Sequence, residues 1–155
     1  MESIKRIAVL YGGSSSEREI SLSSGQGIYA ALCEIGYQCQ LIDYKNLRDL
    51  NELKNYDFIF IALHGFEGEG GKLQKDLDDL NIRYSGSKSK ACKNTWNKAL
   101  TKKILKANNI NTPSFIELEK FDPEIVRSKI NDASFDLFQP NDNLFLKPNE
   151  DGSSV

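Results

Sequence analysis

Short apolar runs that stop at glycine alternate with stretches of helical periodicity along the first half of the chain. Arg6 to Tyr11 (RIAVLY) is continuously apolar after its first residue and ends at Gly12-Gly13, the pattern of a strand buried on both faces. Ser14-Ser15-Ser16-Glu17-Arg18-Glu19 follows, and Ser16 with Glu19 three residues later predicts a capping box that opens a helix. Ile20, Ile28, Ala31, Leu32 and Ile35 fall on one face of that helix, with Gly36 where a C-terminal glycine belongs. Gln38 to Asp43 predicts a second strand, completing a strand–helix–strand unit with a crossover of ordinary length.

The pattern repeats. Asp57 to Leu63 (DFIFIAL) predicts another buried strand, cut off at His64-Gly65. The glycine-rich stretch Gly65-Phe66-Glu67-Gly68-Glu69-Gly70-Gly71 leads into a short helix over Lys72 to Leu80, and Arg83-Tyr84-Ser85 with Gly86 closes the unit. Such alternation predicts an α/β layer architecture, Rossmann-like, with a mostly parallel sheet. From Ser89 to Lys106 the texture becomes helical and lysine-rich, and Asn108 to Pro113 reads as a helix stop. Ser114 to Leu118 predicts a strand, Asp122-Pro123-Glu124 a helix start, and Asn141 to Lys147 a last strand running into Pro148-Asn149-Glu150-Asp151-Gly152-Ser153-Ser154-Val155. A strand and a Gly-Ser-Ser turn with nothing after them lack pairing partners. The expectation is therefore a first domain over residues 1–97 and the truncated beginning of a second over 98–155.

Composition narrows the class. Among 155 residues, 20 Lys and Arg face 22 Asp and Glu, a net charge of −2 that argues against a nucleic-acid or polybasic membrane surface. Eight Phe and six Tyr supply aromatic bulk for a core, so the chain is not of the disordered class. No window approaches the ~18 apolar residues of a membrane span, and the apolar run at the N-terminus is too short for a signal peptide. Cys33, Cys39 and Cys92 are odd in number without CxxC spacing, and a single histidine leaves no zinc set, so no metal ligands are assigned. Reduced thiols in a cytoplasmic protein are the expectation.

Four places could carry chemistry. Gly12 to Glu17 lies between a strand's carboxyl end and a helix start, the ligand crevice of an open parallel sheet. Its N–H groups suit a phosphate or carboxylate, whereas Glu17 repels phosphate and attracts an ammonium. The ordinary alternative is a first-turn carboxylate stabilised by the helix dipole. The stretch is not GxGxxG, so a nicotinamide reading is weak. His64 ends a buried strand and faces the same crevice, with Glu67 and Glu69 either part of a site or a solvated loop edge. Lys98 stands in a helix whose other lysines read as a solvated face. Lys147, followed by Gly152-Ser153-Ser154, suits a loop over phosphates, although Walker A spacing is absent.

Together these segments resemble the D-alanine–D-alanine ligase family of the ATP-grasp superfamily. The resemblance rests on VLYGGSSSEREISLSSG (Val9 to Gly25), IALHGFEGEGGKLQ (Ile61 to Gln74), YSGS (Tyr84 to Ser87), NKALTKKILKANNINTPSF (Asn97 to Phe115) and LFLKPNEDGSSV (Leu144 to Val155). They run in the family's order over about the first half of such an enzyme. The resemblance implies a Rossmann-like domain followed by an incomplete ATP-grasp segment. It implies ATP-dependent ligation of D-alanine through an acyl phosphate, for cell-wall precursors, with ATP and Mg²⁺ as cofactors and the Mg²⁺ ligands beyond Val155. Glu17 then matches the acid that holds the first substrate's ammonium, and His64 the histidine near its carboxylate. Lys98 and Lys147 match lysines that neutralise ATP phosphates. Gly152, Ser153 and Ser154 match the loop over those phosphates, Ser153 also joining a network with Glu17.

Two positions depart from the family pattern. HGxxGEDG has Gly70 here in place of the aspartate, and Asn97 stands where an acid commonly precedes the phosphate lysine. As 155 residues the chain is expected not to catalyse ligation. The alternatives are a free-standing substrate-binding or dimerisation module, with a homodimer as one possible form, and a related ATP-grasp ligase of other dipeptide or depsipeptide specificity.

Overall fold

A computed structural model describes residues 4–120, 122–132 and 144–151. They form two compact units: one runs to Trp96 and takes in Glu150 and Asp151, and the other is Asn97–Asn149.

In the first unit β1 (Arg6–Tyr11) is the centre of a parallel sheet, with β2 (Gln38–Asp43) on one side and β3 (Phe58–Ile61) on the other. Arg6 pairs with Gln38 through to Tyr11 with Asp43, and Ile7 with Phe58 through to Leu10 with Ile61. Ile7, Ala8, Val9 and Leu10 are all buried, because layers cover both faces. On one face Ala8, Leu10 and Ile59 pack with Leu53, Leu63, Leu73, Leu77 and Ile82. Three of these come from the 3-10 turn Leu50–Asn55 and from α3 (Lys72–Asp79), the helix that follows α2 (Phe66–Glu69). Each leucine buried there contributes roughly 2 kcal/mol. β3 ends at Ile61, short of the expected Leu63, yet Ala62 N–H still donates to Leu10 O at 2.8 Å. Tyr84 adds a parallel bridge to Ile59.

The other face carries α1 (Arg18–Glu34), and here two expectations fail. Its buried positions are Ser21 and Gly25, with Ile28 and Leu32 half-buried, whereas Ile20 and Ile35 are 52% and 70% exposed. The contact line is therefore 21, 25, 28, 32, one step round from the apolar pattern. The reason is distance. A Cβ on Gly25 would lie 2.8 Å from Tyr11 Cγ, so the helix approaches the sheet along its smallest side chains. The capping box does not form either. The helix begins at Arg18 with Glu17 as its cap residue and no side-chain cap bond, which leaves Ser16 and Glu19 out of the cap and third positions. The C-terminal expectation is met: at Gly36 (φ 93°) the chain reverses, with Gly36 N–H to Cys33 O and Tyr37 N–H to Leu32 O.

The expected single helix over Ser89 to Lys106 is two, α4 (Ser89–Trp96) and α5 (Lys98–Ala107). Asn97, in extended backbone, ends the run and caps α5, its Oδ1 accepting from Leu100 N–H at 2.7 Å. Asn97→Ala is expected to lower stability by about 1 kcal/mol, read by urea unfolding; an unchanged midpoint would contradict the cap.

In the second unit α5 is followed by α6 (Pro123–Asp132), where Asp122 accepts from Glu124 N–H as the sequence signal predicts. Ser114 to Leu118 is not a strand. It is an extended strap pinned by lysines of α5 and α6: Lys103 pairs with Glu117 at 2.7 Å, Lys129 donates to Glu117 O, and Lys102 and Lys106 sit over the Phe115 ring. Those lysines of α5 are thus used in packing and are not a bare solvated face. Residues 144–147 likewise form no strand, and Phe145 is 87% exposed; residues 141–143 lie outside the described set. Among the described residues, no helix is long and apolar enough to cross a membrane.

Candidate functional site

The sheet order β2-β1-β3 reverses direction at β1, and the loops leaving the carboxyl ends of its strands meet there, where open α/β sheets place ligands. Gly12 and Gly13 follow β1 with φ of 73° and 75°, a left-handed pair that residues with a Cβ rarely adopt. This turn aims three successive N–H groups inward, and each is taken by the protein itself. Gly12 N–H donates to Ser21 Oγ at 2.8 Å, Gly13 N–H to Asp43 Oδ1 at 3.2 Å, and Ser14 N–H to Glu67 Oε2 at 2.7 Å. Two of those acceptors are carboxylates. The N–H groups that would cradle a phosphate or carboxylate are therefore occupied.

The same turn is braced from β2. Arg18 makes a two-pronged pair with Asp43, at 2.6 and 3.0 Å, and also donates to Gly13 O. The Arg18 guanidinium, against the opposing effect of burial and with help from Lys45 and Gly13 N–H, holds the Asp43 carboxyl down at about 2, from an ordinary 3.8. A lowered folded value gives stability that is present above the unfolded value and lost on acidification. The pair's contribution is therefore expected to be fully present above about pH 4 and to disappear between about pH 4 and pH 2. Acid titration of thermal stability checks this: Asp43→Asn should be less stable at neutral pH and flatter over that window, and parallel curves would contradict it.

The third loop arrives from β3. Ser21 Oγ donates to Ala62 O at 2.8 Å, tying α1 to that strand end. Ser15 Oγ donates to His64 O at 3.1 Å. Gly65, the cap residue of α2, lies close under Glu17, with Glu17 Oε2 3.2 Å from its Cβ position. His64 is about one-third exposed. Its Nε2 lies 3.2 Å from Ser24 Oγ and its Nδ1 3.8 Å from Glu69 Oε1, while Glu69 also accepts from Gly65 N–H. Glu17 thus reaches the loop that carries His64 through Gly65, while the His64 ring itself meets Ser24 and Glu69.

In the second unit Lys98 is the first residue of α5. Asn149 O accepts from Lys98 N–H at 3.0 Å and Asn149 Oδ1 from Ala99 N–H at 2.9 Å. This anchors the segment that follows exposed Lys147 at the start of α5. Gly152, Ser153 and Ser154 lie outside the described residues.

No protein-family model matches the chain. Among curated proteins it is 38% identical over 151 residues to D-alanine–D-alanine ligase B of Clostridium perfringens, covering 97% of this chain and 47% of that one. It is 46% identical over 112 residues to the D-alanine–D-alanine ligase of Carboxydothermus hydrogenoformans, covering 72% and 36%. Among solved structures, the Bacillus anthracis D-alanine–D-alanine ligase superposes with a TM-score of 0.77 at 35% identity, over 97% of this chain and 47% of that one. The chain resembles D-alanine–D-alanine ligases along nearly all of its length. It spans about half the length of the curated relatives it matches.

Against the pattern of those ligases the two departures acquire physical content. Asn97 caps α5, and Asn and Asp serve that position equally well, so the substitution keeps the cap and removes only a charge. Gly70 is coupled to Phe66. A Cβ at 70 would sit 2.6 Å from the Phe66 ring and 2.7 Å from Phe66 O, and that ring packs edge-on against Trp96 with centroids 5.9 Å apart. This loop has therefore closed over the space an aspartate would fill. Ser15, Arg18, Ser21, Ser24, Asp43 and Glu67 were not singled out from the sequence as loop-binding residues. The usable signal was Asp43 at a strand's carboxyl end and the small-residue spacing Ser21–Gly25.

Proposed function

We propose that the chain supplies the first-substrate side of an ATP-dependent D-alanine–D-alanine ligase, with residues 98–155 as the beginning of its ATP-grasp domain. The observation that supports the reading is the junction of the Gly12–Glu17 and His64–Gly65 loops, where Glu17 lies close to Gly65 and Ser15 bonds His64 O while the inward N–H groups are already bonded. In that pocket Glu17 takes the ammonium of D-alanine. His64, oriented by Ser24, stands where it can meet the substrate's carboxylate.

ATP, when bound, supplies the γ-phosphoryl group that activates this carboxylate. The Bacillus anthracis enzyme has been solved in complex with ATP. Here the ammonium groups of Lys98 and Lys147 are the donors suited to phosphate oxygens, and Gly152, Ser153 and Ser154 would cover them. Among the described residues no three His, Cys, Asp or Glu side chains converge on a point that could hold a metal ion. A cytoplasmic location and a homodimer belong to the same reading, the latter checked by sedimentation.

Calorimetric titration with D-alanine and with L-alanine tests the proposal. Saturable binding of the D enantiomer, weaker for the L, is expected, and equal or absent binding of both would overturn it.

A further inference from the structure

The Glu67 carboxylate is bound to a residue 53 positions earlier in the chain, on the other substrate loop. Its Oε2 accepts from Ser14 N–H at 2.7 Å. The same oxygen occupies the space that a Cβ on Gly13 would need, so the close approach exists only because residue 13 is glycine. Glu67 stands in the single turn of α2, directly after His64-Gly65 and Phe66. Ser14 lies three residues before Glu17. A second, independent tie crosses the same gap, from Ser15 Oγ to His64 O at 3.1 Å. Glu67 falls on one of the two unspecified positions of HGxxGEDG, so the family resemblance assigns it nothing.

We infer that Glu67 is a positioning residue: its carboxylate clasps the Gly12–Glu17 loop to the His64 loop and thereby sets the distance between Glu17 and His64. A charge-assisted bond to a backbone N–H is among the stronger ones available. The Ser15 hydroxyl bond alone leaves the loop one hinge point, about which the Glu17 end can turn. Two bonds on adjacent residues remove that freedom. The charge has a second consequence: a carboxylate seated on Ser14 N–H keeps competing anions off the loop, leaving Glu17 to face a cation.

This rests on the proposed function for the identity of the ligand, but the clasp itself can be read without one. The experiment follows the Ser14 amide by ¹⁵N-resolved NMR in the 155-residue chain, in Glu67→Ala and in Glu67→Gln, and titrates each with D-alanine. In the unaltered chain the Ser14 amide proton should exchange slowly with solvent. Glu67→Ala should speed that exchange at least about tenfold and weaken D-alanine binding by about tenfold, as expected for loss of a hydrogen bond to a charged group. Glu67→Gln, which keeps an acceptor, should recover most of both. Ser14 exchange that is the same in all three chains overturns the clasp. Faster exchange with unchanged D-alanine affinity overturns its positioning role. If the unaltered chain does not bind D-alanine at all, the proposed function fails while Ser14 exchange still decides the clasp.

Discussion

Replacing Gly25 by leucine should lower the melting temperature by about 6–12 °C, corresponding to about 3 kcal/mol of lost stability. Leucine is a far better helix former than glycine, so propensity alone would raise stability by up to about 1 kcal/mol. The loss comes from contact. A side chain at 25 meets Tyr11 Cγ at 2.8 Å from its Cβ, and Tyr11 Cβ closer still. Tyr11 Cβ is fixed to the central strand and cannot rotate away, so α1 must lift. Ser21, one turn earlier on the same face, would lift with it and release both Gly12 N–H and Ala62 O. The substitution should therefore also abolish ligand binding at the crevice. Gly27 is the control: it is exposed, and a Cβ there meets nothing within 4 Å. Gly27→Leu should leave stability unchanged or slightly raised. Equal melting temperatures for the two variants, by differential scanning calorimetry, would refute the close-packed face of α1.

Glu17→Gln should weaken D-alanine binding by about ten- to a hundredfold, the range for losing a charge-assisted hydrogen bond to an ammonium. The change leaves shape and hydrogen-bonding capacity nearly intact. Glu17 makes no side-chain bond to the start of α1, so stability should move by less than about 0.5 kcal/mol. That split, affinity lost and fold kept, distinguishes a ligand-binding acid from the ordinary first-turn carboxylate considered from the sequence. The latter would show a small stability change and no change in affinity. Calorimetric titration with a paired thermal melt reads both quantities.

The sheet was legible because burial on two faces leaves an unmistakable mark. RIAVLY and QCQLID begin and end where the strands do, and the Gly12-Gly13 pair after the first is where the chain turns. The helix on that sheet was harder to place. Apolar periodicity assumes that large side chains face the core, but α1 packs by Ser21 and Gly25, and its isoleucines at 20 and 35 face out. The short apolar runs Ser114 to Leu118 and Leu144 to Lys147 look like strands because pattern alone cannot register whether a neighbouring strand exists. In the first, lysines from α5 and α6 provide the partners instead.

The loops that carry Glu17 and His64 were legible because each leaves the carboxyl end of a predicted strand. The side chains that hold those loops were not. Ser14 with Glu67, Ser15 with His64 and Gly13 with Asp43 are 30 to 53 positions apart, and local composition is silent about pairs at that separation. Glu67 in particular reads equally as part of a site or as a solvated loop edge until its partner is seen.

Chemical-shift mapping shows whether the junction of the two loops is the D-alanine site. ¹⁵N-labelled protein would be titrated with D-alanine while every amide is followed. The largest, saturable shifts should fall on Ser14 to Arg18 and on His64 to Gly65, with L-alanine giving smaller ones. Shifts confined to other surfaces, or none at saturating D-alanine, would contradict the account.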